Sequence, residues 1–128
     1  MTQTDQFIGA LCAWRENRGG GTQGMQSVFN VLMNRAKKDG TTIAFEAERR
    51  LQFSSMTAQG DPNLLIYPED GDPQFAQALD LATEAAAGTL SDLTFGATSY
   101  YAESMKTPPY WAASIQMTVA IAGQVFYR

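Results

Sequence analysis

The stretch TQGMQSVFNVLMNRAKKDG, Thr22 to Gly40, constrains the fold more than any other part of this chain. Met25, Val28, Phe29, Leu32 and Ala36 recur every three or four residues, so they share one face of an α-helix. Gln26, Ser27, Asn30, Asn34 and Lys37 share the other, which reads as polar. A helix so patterned must bury its apolar stripe, and the remaining elements must supply something for it to bury against. Thr22 is the expected cap, and Lys37, Lys38 and Gly40 give a basic last turn and a glycine stop.

The neighbours offer that partner surface. Thr4 reads as the cap of a first helix whose stripe is Phe7, Ile8, Leu11, Cys12 and Trp14. Ile8, Cys12 and Glu16 form an i, i+4, i+8 row along its border, so Glu16 starts beside the core. Arg15 falls inside the stripe, where it either loosens the helix or pairs with a carboxylate. Arg18-Gly19-Gly20-Gly21 then ends the helix through a left-handed glycine cap. A short helix is expected from about Ile43 to Leu51, capped by Thr42. Gln52 to Asp72 reads as a long irregular segment, a kind of loop that is often functional. Asp72-Pro73 starts another helix that stops near Gly88. ATSYYA and QVFYR near the end are aromatic, β-branched and able to pair as a small ribbon, with PPYWAAS between them as a turn and a helical turn. The expected fold is α+β, a single domain over residues 1–128, mostly helical with a small late β element. Its 128 residues suit one core.

Composition excludes most chemistries. There is no histidine and one cysteine, Cys12, in an apolar stripe. Histidine triads, Cys–His pairs, an internal disulfide and the usual zinc sites are therefore out, and no metal or other cofactor is expected. Gly19–Gly21 lacks the Gly-Lys-Ser/Thr of a phosphate loop, and Glu69–Asp72 lacks the alternating ligands of a calcium loop. The net charge of −4 argues against nucleic acid. Even so, seven of the nine basic residues (Arg15, Arg18, Arg35, Lys37, Lys38, Arg49, Arg50) fall between Arg15 and Arg50, either as solvated helix faces or as a patch for an anionic polymer. No apolar run is long enough to span a bilayer, and the opening residues show no secretory signal, so synthesis in the cytoplasm and no stable membrane association are expected. Carboxylates and aromatic rings remain. That pairing suits glycosides, because a carboxylic acid kept protonated can donate to a glycosidic oxygen and flat rings can receive sugars.

The order of short motifs adds to this. AWRENRGGGTQGMQSVFNVLMNRA, then QFSS, then GATSYYAESMKTPPYWA, then IAGQVFYR resembles the SleB-type cell wall hydrolase family, which includes spore-cortex-lytic enzymes and phage endolysins. The family opening is roughly E-A-R-G-E, a short loop, G-Q/M and L-N-R; here Glu16, Arg18, Gly19, Gly24, Gln26 and Leu32-Met33-Asn34-Arg35 fall in that order. The resemblance spans nearly the whole chain and implies a lysozyme-like domain that cleaves peptidoglycan glycan strands at the β-1,4 bond after N-acetylmuramic acid. It implies Glu16 as the catalytic acid and places Gln52, Ser54, Thr98, Tyr100 and Tyr101 in the sugar cleft. Two positions depart from the pattern. The second glutamate of the opening motif is Gly20 here, and the histidine of the closing motif is Gln124.

Two mechanisms and one non-enzymatic reading follow. A single acid, Glu16, supports lytic transglycosylation, in which the muramic acid 6-hydroxyl attacks. A hydrolytic muramidase acting through a covalent intermediate needs a second carboxylate, for which Asp61 and Glu103 are the distant candidates. A glycan-binding domain of the same fold needs neither. For the acid role, burial of Glu16 must outweigh Arg15 and Arg18, or these must point away. The small size and lack of a wall-binding module suggest a monomeric phage-type endolysin, released to the wall from the host cytoplasm.

Overall fold

The computed structural model describes residues 1–50 and 52–128. Helix α1 spans Gln3–Asn17, α2 Gly21–Asp39, α3 Ile43–Glu48, α4 Ser54–Thr57 and α5 Pro73–Ala87. Strands β1 (Ser99–Ala102), β2 (Met117–Ile121) and β3 (Gln124–Tyr127) form one antiparallel sheet in the order β1-β3-β2. The fold is α+β, mostly helical with a small late sheet, as the sequence pattern predicts. No described helix is long and apolar enough to cross a membrane.

The first helix begins earlier than expected. Thr2, not Thr4, is its cap: the Asp5 N–H donates to Thr2 Oγ1 (3.0 Å) and the Thr2 N–H donates to Asp5 Oδ2 (3.0 Å). This reciprocal pair satisfies two backbone donors at once, which Thr4, already inside the first turn, cannot do. Leu11, Cys12, Ala13 and Trp14 are buried, but Phe7 is about half exposed, edge-on to Phe75 at 6.0 Å. Gly9 marks the closest approach of α1 to its neighbours. A Cβ there would lie 2.8 Å from Phe29 and 2.9 Å from Ile43, so α1 nests on α2 and α3 only because that side chain is missing.

The glycine run does not end α1 with a left-handed cap. Arg18, the C-cap, is right-handed, Arg18–Gly20 makes one 3₁₀ turn, and the positive φ falls at Gly21 (69°). Thr22 is no cap either; its hydroxyl donates to Gln77 Oε1 on α5 (3.0 Å). The apolar stripe of α2 is in the core, with Met25, Val28, Phe29 and Leu32 fully buried. Its polar face is not simply solvated. Asn30 is 2% exposed, donating to the Ser91 carbonyl (3.0 Å) and accepting from the Leu93 N–H (3.0 Å). Gln26 also reaches Ser91, and Asn34 donates to the Ala97 carbonyl (2.9 Å) and to Asp92 Oδ2 (3.0 Å). The 91–97 connection has no ladder of its own, so these amides supply the partners its backbone requires. The face that reads as polar is what anchors the 91–97 connection that leads into β1.

Helix α3 stops at Glu48 rather than near Leu51, which lies outside the described residues, and Thr42 caps it as expected. The 52–72 segment contains α4 and a 3₁₀ turn, Pro62–Leu65, capped by Asp61. Helix α5 starts with Asp72 accepting from the Gln74 and Phe75 N–H groups and ends at left-handed Gly88. The expected pairing of ATSYYA with QVFYR is the β1–β3 ladder, in which Tyr100 opposes Phe126. Strand β2 is an addition: it pairs with β3 through a two-residue turn at Ala122 and Gly123, both at positive φ.

Candidate active site

Glu16 lies in the last turn of α1, half-buried, where the helix end meets the sheet. Tyr100, the second residue of β1, donates its hydroxyl to Glu16 Oε1. Strand alternation makes this contact possible. Tyr100 points toward the helices, tilted on Phe126 (5.4 Å between centroids) and Phe53 (6.4 Å). Tyr101, next along, points to the other face, stacked on Tyr127 (5.7 Å) and edge-on to Trp111 (6.0 Å).

Arg15 and Arg18 both point away from Glu16. Arg15 is buried, with Nε donating to the Ile66 carbonyl (3.0 Å), Nη1 to the Ser55 carbonyl (3.2 Å) and its guanidinium over the Tyr67 ring. Neither expected outcome holds: the helix is not loosened there, and the partners are carbonyls rather than a carboxylate. Arg18 covers the Trp14 ring and donates to Asn63 Oδ1 (3.0 Å). The two side chains pin the 52–67 segment to α1. Among the described residues, no cation comes within ion-pair distance of Glu16.

Beside this pair opens a groove of about 540 Å³ lined by Arg35, Gln52, Ser99, Tyr100, Tyr110 and Trp111. Tyr110 is 93% exposed, a bare aromatic face at its rim. Of the residues expected in a sugar cleft, Gln52 and Tyr100 line this groove, and Tyr100 ties it to Glu16. Thr98 lies in the smaller adjoining cavity, its carbonyl accepting from Arg35 Nε. Ser54 is turned aside: its hydroxyl donates to Asp61 Oδ2 (2.6 Å) and it lines a different depression. Tyr101 is not among the lining residues but packs edge-on to Trp111, which is. Arg35, Tyr110 and Trp111 were not singled out from the sequence as cleft residues; PPYW was the signal for the last two, since an exposed Tyr-Trp pair after two prolines is a rigid platform.

The two distant carboxylates stand apart from the groove lining. Asp61 accepts from Ser54 and from the Asn63 N–H (2.8 Å), and the Ser54 bond foremost holds its carboxyl below the usual range. Glu103 is exposed in the turn after β1. Among the described residues, no group of His, Cys, Asp and Glu is arranged to hold a metal ion.

Asn17 connects the two departures from the family pattern. Its Nδ2 donates to Gln124 Oε1 (3.3 Å) and to the Ala122 carbonyl (3.4 Å). Its side chain also fills the space over Gly20 and Gly24, where an added Cβ would meet it at 2.7 Å in either case. Where the resembled pattern has a glutamate, this chain thus has a glycine covered by the amide of Asn17, which ties the end of α1 to the β2–β3 turn.

Burial, then the negative charge of Glu16, pushes the Tyr100 phenol well above the usual tyrosine range. Tyr100 therefore remains a donor to Glu16 throughout the neutral range. The folded protein keeps a proton that the unfolded chain releases near pH ~10, so this contribution to stability is present below that pH and is lost as pH rises toward the folded value. Denaturant melts at pH 8 and pH 11 should show a smaller alkaline loss in Tyr100→Phe than in the parent protein. An equal loss in both would place the Tyr100 hydroxyl in contact with water.

A family model described as Cell Wall Hydrolase matches residues 19–127, beginning just after Glu16. The fold is similar to the catalytic domain of the germination-specific lytic transglycosylase SleB from Bacillus anthracis, with a TM-score of 0.75 at 19% identity over 100% of this chain and 97% of that one. It is also similar to the catalytic domain of the Bacillus cereus SleB protein, with a TM-score of 0.76 at 20% identity over 100% of this chain and 92% of that one. No curated protein sequence matches significantly. Since the family match covers all of the sheet and every helix but α1, the chain belongs to the cell wall hydrolase family.

Proposed function

We propose that this chain cleaves the β-1,4 bond between N-acetylmuramic acid and N-acetylglucosamine in peptidoglycan, as a lytic transglycosylase with Glu16 as the single general acid and base. One observation carries the reading. Glu16 stands behind the groove, bonded to its lining residue Tyr100 though not itself a lining residue, and among the described residues no second carboxylate lines the groove or bonds to Tyr100. One of the two similar folds belongs to a lytic transglycosylase, which supports the same choice.

The geometry suits both halves of such a reaction. In the first, protonated Glu16 accepts the Tyr100 O–H bond at one oxygen and gives the proton on the other to the leaving glycosidic oxygen. The C1–O bond breaks and positive charge develops at C1 of the muramoyl unit. In the second, the Glu16 carboxylate takes the proton of the muramoyl 6-hydroxyl while that oxygen bonds to C1. A 1,6-anhydro product forms, no water is consumed, and Glu16 is protonated again. Trp111 and Tyr110 offer ring faces for the sugars, and Gln52 offers an amide to their hydroxyls.

Mass spectrometry of digested sacculi tests the reading. The expected products are 1,6-anhydromuropeptides with no new reducing ends. Reducing muropeptides, heavier by one water, would make the enzyme a muramidase and turn attention to Asp61. Binding to sacculi without any release would leave a glycan-binding domain. Use as a phage-type endolysin belongs to the same proposal: cells should lyse when the chain is exported to the periplasm and stay intact when it is held in the cytoplasm.

A further inference from the structure

The basic residues gathered between Arg15 and Arg50 do not act as one patch. Arg15 and Arg18 are spent on the 52–67 segment and its neighbours. Arg35, Lys38 and Arg49, by contrast, converge on a small cavity of about 140 Å³ that shares Arg35, Gln52 and Ser99 with the glycan groove. Asp39 is the one carboxylate among its lining residues, and Arg49 already engages it at 3.2 Å. The other acid near Arg49 is Glu46, fully buried and bonded to the same guanidinium at 2.9 Å. Lys38 has no ion-pair partner among the described residues. Arg35 uses Nε on the Thr98 carbonyl, while its Nη1 is buried without a partner. The cavity is too small for a sugar ring with its substituents, but it has room for one carboxylate and a short run of chain. Charge-assisted bonds from a guanidinium and an ammonium are the natural way to hold such a group.

We propose that this cavity is a subsite for a carboxylate of the peptide stem carried by muramic acid. The proposal rests on the glycan-cleaving reading of the adjoining groove. A glycan strand in the groove would bring its lactyl-linked peptides to the walls, and this wall carries unspent positive charge. The subsite selects for glycan that still bears stems.

The test compares KM on soluble glycan strands bearing free-acid peptide stems with KM on the same strands whose stem carboxylates are capped as amides. The wild-type protein should show the lower KM on the free-acid strands. Lys38→Glu should raise the free-acid to capped KM ratio by roughly three- to tenfold, with kcat little changed. Lys38→Arg should restore it, and the preference should shrink at high ionic strength. Lys37→Glu is the control, because Lys37 is also exposed in the last turn of α2 but does not line the cavity. A shift of equal size in Lys37→Glu would overturn the subsite in favour of a general field effect. Equal KM on both substrates in the wild type would overturn the subsite and leave the glycosidase reading standing. No cleavage of either substrate would overturn both.

Discussion

Glu16→Gln should yield a folded protein whose lysis rate is lower by about 10²–10⁴-fold, the usual worth of a general acid. The amide keeps the shape of the side chain and can still accept the Tyr100 hydroxyl through its oxygen, so the contact between α1 and β1 should survive. What disappears is a proton that can be given to the leaving oxygen and taken back from the 6-hydroxyl. Binding to sacculi should persist, because Gln52, Tyr110 and Trp111 are untouched. Circular dichroism confirms folding, a turbidity assay on permeabilised cells measures rate, and pelleting with sacculi measures binding. Asp61→Asn and Glu103→Gln should cost far less. Asp61→Asn weakens the Ser54 bond and the cap of the 3₁₀ turn, so its effect should appear in the melting temperature before it appears in the rate. A folded Glu16→Gln protein with near wild-type lysis would sink the assignment, and equal losses at Glu16 and Asp61 would point to a two-carboxylate enzyme.

Tyr100→Phe separates the acid from its support. It removes a donor to Glu16 but leaves the ring packed on Phe53 and Phe126. A loss of about tenfold, well short of that in Glu16→Gln, fits one hydrogen bond to an ionisable partner. The family resemblance groups Tyr100 with sugar-contacting residues; its position makes it first of all the partner of Glu16.

The parts of the fold legible in the sequence were those governed by local period and local punctuation. The stripe of α2, the Asp72-Pro73 start of α5, Thr42 and Gly88 all follow from side chains acting within a turn or two of themselves. Strand β2 was not legible, because its evidence is non-local. Met117–Ile121 is short, interrupted by a register shift, and joined to β3 by Ala122-Gly123 rather than by a strong turn pair such as Asn-Gly. The polar face of α2 misled for a similar reason: nothing near Asn30 or Asn34 in sequence reveals that residues 91–97 will need their amides. In the candidate site, Glu16 stands out in the sequence through motif order and the i, i+4, i+8 row. Arg35 and Trp111 entered only when chain segments far apart in sequence closed on one groove.

Replacing Gly20 with the glutamate of the family pattern should not improve this protein; it should destabilise it by about 1–3 kcal/mol and lower its activity. Gly20 has φ −85°, a value open to any residue, so the penalty is not one of backbone conformation. It is one of space. A Cβ at position 20 lies 2.7 Å from Asn17 Oδ1, 2.8 Å from Asn17 Nδ2 and 2.9 Å from the Ala122 Cβ. To make room, Asn17 must leave Gln124 and the Ala122 carbonyl, and the tie between the end of α1 and the β2–β3 turn goes with it. Glu16 precedes Asn17 in the same turn, so the Glu16 carboxylate should lose its fixed position against Tyr100. The cost should be partly recovered in the double variant Asn17→Ala/Gly20→Glu, where the amide no longer competes for the space, although the Ala122 contact remains. Contacting residues of this kind couple by about 0.5–3 kcal/mol. Denaturant melts of the two single variants and the double variant give the coupling, and lysis assays show whether activity follows it. If Gly20→Glu matched the wild type in stability and raised its activity, Asn17 would be a passive occupant, and the missing glutamate a simple loss from the family site.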